Sequence, residues 1–426
     1  MSGSGAHAAY QVGVLRALVR LLPRHAPNPF SVYCGTLAGA INGTVLAAHA
    51  DDLRAGLPLP LRHRMCQIEE ESSFNHRAGG IAMKITRVGL DIAKQVFEVH
   101  GVNEHGVAKL HKTLPRAKVL EYFAQLPPCL IGMEACDGAH YWARELAALG
   151  HTVRLMAAQF VIPYRKRGKN DANDAEAICE AVGRPNMHFV AVKSPEQQAL
   201  LMVHRARTLV VANRTAQVNQ IRGLLGEFGL VVPKGVASLR RQLPRILEDA
   251  ENGLPDLARE MLSGLFEQLR ALDRHVQRYD LKIRTLAQQS EPARRLMQIA
   301  AIGPQTATAL IASMGDPHVF RSGRNYAASL GLTPRQHSSG GKARLGAITK
   351  QGDRTVRTLL VHGARAYLRV VDKKTDAKSA WARRLKERRH VNVAAVALAA
   401  KHARIAWALL ARGTAYRPVQ PQDKAA

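Results

Sequence analysis

The sequence predicts a mixed α/β domain over residues 83–190, followed by a mainly α-helical half with a coiled coil. Three observations predict this. Just after Met83, three strand-like patterns run in succession and then alternate with helical ones, which is the signature of a sheet covered by helices. From Leu262 to Leu286 apolar residues recur with gaps of three and four, the spacing of a heptad seam. The remainder of the second half is helix-forming, with Gly and Pro confined to turns.

Composition narrows the partner before any motif does. A chain of 426 residues, 46% hydrophobic, can bury a substantial core and divides most naturally into two or three domains. Its 61 Lys and Arg against 33 Asp and Glu give a formal charge of +28, with pI near 10.5. That excess recurs in several segments, so it points to a polyanion, foremost nucleic acid, and away from a small neutral substrate. Five cysteines show no CxxC pair and no histidine at zinc spacing, and so read as reduced and cytosolic. The run Tyr10 to Leu22 is broken by Arg16 and Arg20, and the run from Val391 by Lys401, His402 and Arg404. Neither reads as a membrane segment.

The elements follow in order. GSGAHAAYQVGVLRAL and PFSVYCGTLAGAING resemble the oxyanion loop and nucleophile elbow of a patatin-like phospholipase. The elbow reads GTLAG, however, and Leu37, which cannot attack an ester, stands where that family has its serine, so a patatin-like lipid hydrolase is only a remote alternative. From Arg54 to Ala82 no period is visible. Residues 1–82 are thus expected to be a truncated, non-functional fragment fused in frame to a different protein that starts at Met83. A divergent N-terminal domain is the alternative.

In ITRVGLDIAK, Val88, Leu90 and Ile92 alternate against Gly89, Asp91 and Ala93, so Asp91 points away from the apolar set. QVFEVHGV and VAKLHKTL read as two strands joined by NEHG, followed by a helix from Ala117 to Leu126. CLIGMEAC is a strand ending at Glu134. A helix from Gly138 to Leu149 and the strand HTVRLMAA come next. RKRGKNDANDAEAICE then opens a helix that Asp171 caps or begins, with Asp171, Asp174 and Ile178 on one face and both acids toward the core. Two readings stand for this pair. Close carboxylates repel and are relieved by a hard divalent cation, with Arg165, Lys166, Arg167 and Lys169 beside it for a polyanion; or the pair is an acidic first turn favoured by the helix dipole.

An aspartate in the first strand, a glutamate ending the fourth and an Asp pair on a later helix can meet at one end of a sheet, as in ribonuclease-H-like nucleases with two-metal sites. With GLDIAK, GMEAC and KNDANDAEAI so placed, Met83 to about Gly413 resembles a DEDD-type transposase of the insertion-sequence-110 family. The first half of that family is similar to the RuvC resolvase. The resemblance implies a RuvC-like, ribonuclease-H-like fold, with Asp91, Glu134, Asp171 and Asp174 as catalytic ligands of Mg²⁺ or Mn²⁺.

In residues 191–290, Pro195 to Phe228 is an amphipathic helix carrying Arg205, Arg207, Arg214 and Arg222. The seam of Leu262, Leu265, Leu269, Leu272, Val276, Tyr279, Ile283 and Leu286 serves either a coiled coil between chains or a helical hairpin with that preceding helix. Residues 291–413 open with LMQIAAIGPQTATALIASMGD, shaped as a helix-hairpin-helix. Gly303 and Pro304 make its turn, and its second helix is expected near Thr306. GLTPRQHSSGGKARLGAITKQGDRTVRTLL is a Gly- and Ser-rich loop in which Arg335, Lys342, Arg344, Lys350, Arg354 and Arg357 can neutralise phosphates. It resembles the C-terminal signature of the same family, which implies that Ser339 is the nucleophile, with Ser338 as the alternative. Two helices between Ala377 and Arg412 place Trp381 and Trp407 inside and Arg383, Arg384, Arg388 and Arg389 outside. Residues 414–426 read as a disordered tail.

The resemblance implies an enzyme that cuts and rejoins DNA at mobile-element ends. It further implies a structured guide RNA, a homo-oligomer (dimer or tetramer) and a bacterial cytoplasmic location at the nucleoid. The rival reading is a non-catalytic nucleic-acid-binding protein, which leaves the four acids unexplained.

Overall fold

The computed structural model describes residues 84–417 apart from Arg167 and Lys169. Expectations for residues 1–82 and for the last nine positions lie outside the described residues. The sheet has six strands: β1 (Arg87–Ile92), β2 (Val96–Val102), β3 (Ala108–Pro115), β4 (Leu130–Glu134), β5 (Thr152–Met156) and the short β6 (Phe189–Val190). Their order is β3-β2-β1-β4-β5-β6. The first three form an antiparallel meander, β1, β4 and β5 run parallel, and β6 returns antiparallel. At the β2–β3 turn the Asn103 carboxamide oxygen accepts from the backbone N–H groups of His105 and Val107 at 3.1 and 2.9 Å. Asn thereby supplies the acceptor that the NEHG turn needs.

The two faces of the sheet are filled differently. Val88, Leu90, Ile131, Met133 and Leu155 bury one face under α1 (Val119–Ala124) and α2 (Ala139–Ala148), through Phe123, Trp142 and Leu146. After the one-turn α3 (Ala158–Val161), helix α4 (Asp171–Val182) covers the other face, with Ala177, Ile178 and Val182 packed near Met156. This arrangement agrees with the ribonuclease-H-like expectation.

Helix α5 (Pro195–Glu227) starts from a capping box of Ser194 and Gln197. After α6 (Val236–Glu248), helix α7 (Asp256–Gln289) returns antiparallel along α5. The crossing is fixed by Arg207–Asp280 at 2.6 Å, Arg214–Asp273 at 3.4 Å and the Gln217 amide on the Leu265 carbonyl at 3.3 Å. Of the seam residues, Leu262, Leu269, Val276 and Ile283 are buried, while Leu265, Leu272, Tyr279 and Leu286 are half-buried and Phe266 and Ala287 complete the stripe. Of the two readings of the seam, the intramolecular hairpin is the one formed; no coiled coil between chains is shown.

The C-terminal core gathers α8 (Glu291–Met297), α9 (Pro304–Met314), α10 (Gly323–Ser329), α11 (Arg354–Val370), α12 (Ala377–Arg388) and α13 (Val391–Arg412). Helix α9 begins at Pro304 rather than near Thr306, because proline suits the first helical position. Helix α13 is the one described helix long and apolar enough to cross a membrane, yet Leu398, Ala399, His402 and Ala403 lie fully buried at the centre of this core. Arg383 is half-buried, contrary to expectation, and its guanidinium donates to the carbonyls of Val371, at 3.1 Å, and Lys374. The tail also departs from expectation at residues 414–417. Tyr416 packs on the core and its N–H donates to Gln298 at 3.1 Å.

Candidate active site

Two glycines position the acids. Gly89 of β1 and Gly132 of β4 are register partners in adjacent parallel strands, and α4 lies directly on them. A Cβ on Gly89 would sit 2.0 Å from the Ala175 carbonyl oxygen, and one on Gly132 would sit 2.7 Å from the Val182 Cβ. Side chains two residues apart share a face of a strand, so Asp91 and Glu134 follow these glycines on the α4 side. Both emerge at the same edge, one step past the paired Leu90 and Met133.

The first turn of α4 overhangs that edge. Asn170 caps the helix, its side-chain oxygen accepting from the Asn173 N–H at 2.7 Å; Asp171 is therefore the first helical residue and not the cap. Asp171 is exposed and Asp174 half-buried, so only Asp174 turns inward as expected. Carboxylate oxygens of Asp91, Asp171 and Asp174 all lie within 4.8 Å of one another. Glu134 stands outside this trio but within its field.

The electrostatics follow from this crowding. Burial, then the charges of Asp171, Asp174 and Glu134, push the Asp91 carboxyl from 3.8 to about 6. Burial and Asp174 also raise Glu134, while Arg165 opposes the rise. Arg165 pairs with Asp174 at 3.5 Å and Lys166 with Glu176 at 2.7 Å. Arg167 and Lys169, the other cations of that run, lie outside the described residues. Repelling hard-oxygen donors that converge on one point suit a divalent oxygen-seeking cation, so the residues present fit such an ion.

The serine segment is a β-hairpin and not an irregular loop. Strands β7 (Pro334–Gln336) and β8 (Leu345–Ile348) pair antiparallel, and Ser339 bridges Lys342 across Gly340 and Gly341 at φ +57° and +74°. Two successive positive φ values are what a tight hairpin turn requires. The Ser338 hydroxyl accepts from the Gln336 amide at 3.0 Å and the Arg344 N–H at 3.1 Å. The Ser339 hydroxyl has no partner among the described residues. Residues 335–347 are all exposed, so the hairpin is not packed against the acid site. Arg335, Lys342 and Arg344 lie on it, Lys350 at its base, and Arg354 at the start of α11; none of the five forms an ion pair among the described residues. Gly303 caps α9 with open space around it. The base is clamped, because a Cβ on Gly352 would sit 1.8 Å from the Ser329 oxygen.

Sequence reasoning missed Gly89 and Gly132. The available signal was a glycine two residues before each acid, inside strands where glycine is otherwise unfavourable.

Residues 88–229 match a model described as Transposase, the DEDD domain of IS110 elements, and residues 293–380 match the Transposase IS116/IS110/IS902 family. The chain is 52% identical over 337 residues to a probable family 20 transposase of Pseudomonas aeruginosa, covering 79% of this chain and 100% of the relative. It is 42% identical over 330 residues to the transposase for insertion sequence element IS1111A of Coxiella burnetii, covering 78% and 91%. A transposase for IS1328 of Yersinia enterocolitica is 39% identical over 332 residues, covering 78% and 98%.

Proposed function

This chain belongs to the IS116/IS110/IS902 transposase family, and from that premise we propose how its residues cut and rejoin DNA at the ends of an insertion sequence. The observation that carries the reading is the convergence of Asp91, Asp171 and Asp174 within 4.8 Å, at the edge where Glu134 also emerges. These four acids would hold a divalent cation, Mg²⁺ or Mn²⁺, which would stabilise charge on the phosphoryl group under attack. Their negative charge alone would repel DNA. Arg165, paired with Asp174, brings a cation to the edge where the strand lies.

Ser339 is the nucleophile of the proposal. Its oxygen forms a bond to phosphorus, its proton leaves to a carboxylate or water, and the displaced sugar oxygen departs with the electron pair of the broken ester bond. A second DNA hydroxyl then attacks the serine ester and restores a phosphodiester. One ester replaces another at each step, so no energy source is needed. Arg335, Lys342, Arg344, Lys350 and Arg354 neutralise the flanking phosphates, and the N-terminus of α9 at Gly303 offers N–H donors to the backbone. The exposed hairpin meets an acid cluster by moving toward its own or by reaching that of a second chain, which a homo-oligomer, dimer or tetramer, would supply. Target choice is delegated to a structured guide RNA, and the enzyme works in the bacterial cytoplasm at the nucleoid.

The domain reading stands within the same proposal: a dispensable patatin-like fragment over 1–82, the acid site in 83–190, the helical arm in 191–290 and the serine domain in 291–413. The test is covalent capture. Element-end DNA incubated with protein and Mg²⁺ should give a protein–DNA adduct on a denaturing gel, lost in Ser339→Ala and kept in part by Ser338→Ala. An adduct that survives Ser339→Ala but not Ser338→Ala names the other serine. If neither change matters, the serine mechanism is wrong.

A further inference from the structure

Between the start of the helical arm and the serine domain lies a cavity of about 640 Å³ that neither proposed catalytic group lines. That size falls within the range of small-molecule sites, about 300–1,000 Å³. Its walls come from the segment after β6, from α5, from α9 and from the first turn of α11.

The polar lining is cationic and under-compensated. Lys193 is held in place by His140, whose ring nitrogen lies 3.1 Å from the ammonium, and by Arg144, which donates to the Lys193 carbonyl at 2.6 Å. Arg205 also lines the cavity and forms no hydrogen bond or ion pair among the described residues. The two cations repel each other, and burial with Arg205 lowers the Lys193 ammonium from its ordinary value while Asp353 opposes this. An anion between them would relieve the repulsion. Thr355 lines the same space, at the positive end of the 17-residue α11.

The rest of the wall is apolar. Leu201, Leu209, Ala309 and Val356 line it, and Leu209 is 62% exposed although it belongs to a packed helix. Asp353 adds an acceptor. One of its carboxylate oxygens caps α11 through the N–H groups of Thr355 and Val356 at 2.8 and 3.0 Å, which leaves the other for a ligand N–H or O–H.

We propose that this cavity binds one nucleotide, its phosphate between Lys193 and Arg205, its base on the Leu201–Leu209 wall and a sugar hydroxyl or base amino group on Asp353. The source is either a free nucleoside monophosphate or a nucleotide turned out of a nucleic-acid strand, since both present the same chemistry. The inference rests on the reading of the chain as a DNA-processing enzyme, but its site is separate from the acids and from Ser339. Its position carries a consequence. Asp353 directly follows Gly352, the clamp of the serine hairpin, so the ligand would touch the hairpin's anchor and the nuclease-side Lys193 together.

The experiment uses the full chain with two probes. Adenosine monophosphate is titrated by calorimetry, and a single-stranded 12-mer with 2-aminopurine at successive positions is followed by the fluorescence rise of an unstacked base. Binding in at least one arm should weaken about tenfold in both Arg205→Gln and Lys193→Gln. Arg384→Gln, a change to an exposed cation on α12, should leave it unchanged. Response to the mononucleotide identifies a free ligand, and response to the 12-mer alone identifies a strand nucleotide. If both variants melt like the parent and bind both probes as the parent does, the inference is wrong. Adduct formation by Ser339 is scored separately: a normal adduct with an insensitive cavity removes this inference alone, and a lost adduct with a sensitive cavity removes only the catalytic proposal.

Discussion

Gly89 and Gly132 sit side by side in adjacent parallel strands, and helix α4 rests on both, with its backbone against Gly89 and its Val182 side chain against Gly132. The pair sets the distance from α4 to the sheet, and hence the distance from Asp171 and Asp174 to Asp91. Gly89→Ala should cost about 3 kcal/mol or more, because the contact it meets is a helix carbonyl that cannot rotate away. Gly132→Ala meets only the Val182 side chain and should cost less. Denaturant melts of the two variants check the order, and Gly89→Ala should also lose strand transfer with nucleic-acid binding retained.

Folding raises Asp91 from 3.8 to about 6, so between these values the folded protein holds a proton that the unfolded chain has released. Stability contributed at this site therefore falls as pH rises from about 4 to about 6, and the loss is complete above that. In chelator, Asp91→Asn should melt higher than the parent at pH 8 and equal to it near pH 4. Adding Mg²⁺ should raise the parent's melting temperature and leave that of Asp91→Asn nearly unchanged. Calorimetry at the two pH values reads both effects.

His402 is fully buried with neither ring nitrogen hydrogen-bonded among the described residues, and burial holds it down to about 3. The unfolded chain protonates this residue below 6.5 while the folded one does not, so stability drops as pH falls from about 6.5 toward 3. His402→Leu should gain about 1–2 kcal/mol at neutral pH by removing the unmet polar atoms. It should also flatten the acid side of the stability profile, as seen in urea melts from pH 4 to 8.

The two catalytic groups can be divided between chains. Mixing Ser339→Ala with Asp91→Ala protein should restore strand transfer if the hairpin of one chain serves the acids of another. Neither protein should be active alone. A mixture as inactive as its components places both groups in one chain.

A chain beginning at Met83 should melt cooperatively and transfer strands as the whole chain does, because residues 1–82 carry Leu37 in place of a nucleophile. Loss of the cooperative melt on truncation would return those residues to the folded protein as a true domain.

What could be read in advance depended on burial. Val88 and Leu90 alternate with Gly89 and Asp91 because one side of β1 faces a core, and that alternation is visible in the chain. The acids could be placed on strand ends and a helix start for the same reason, although the exposure of Asp171 could not be read in this way. The serine hairpin is exposed on both sides, so no alternation marks its strands, and only Gly340–Gly341 signals its turn. The heptad seam shows that α7 needs a partner but cannot say which, since α5 offers a stripe diluted by Arg207 and Arg214. Those two arginines pair with Asp280 and Asp273, matches of residues 73 and 59 positions apart that no local pattern reveals. Arg383 looked like a surface cation because its acceptors are backbone carbonyls, which have no sequence signature.

The antiparallel pair of α5 and α7 also acts as a ruler. Seven residues added to each helix would lengthen the arm by about 10 Å and restore the same facing side chains. Such paired insertions leave the sheet, the acids and the hairpin where they are. The reach of the arm's tip is therefore adjustable in whole steps without altering the site proposed to do the chemistry.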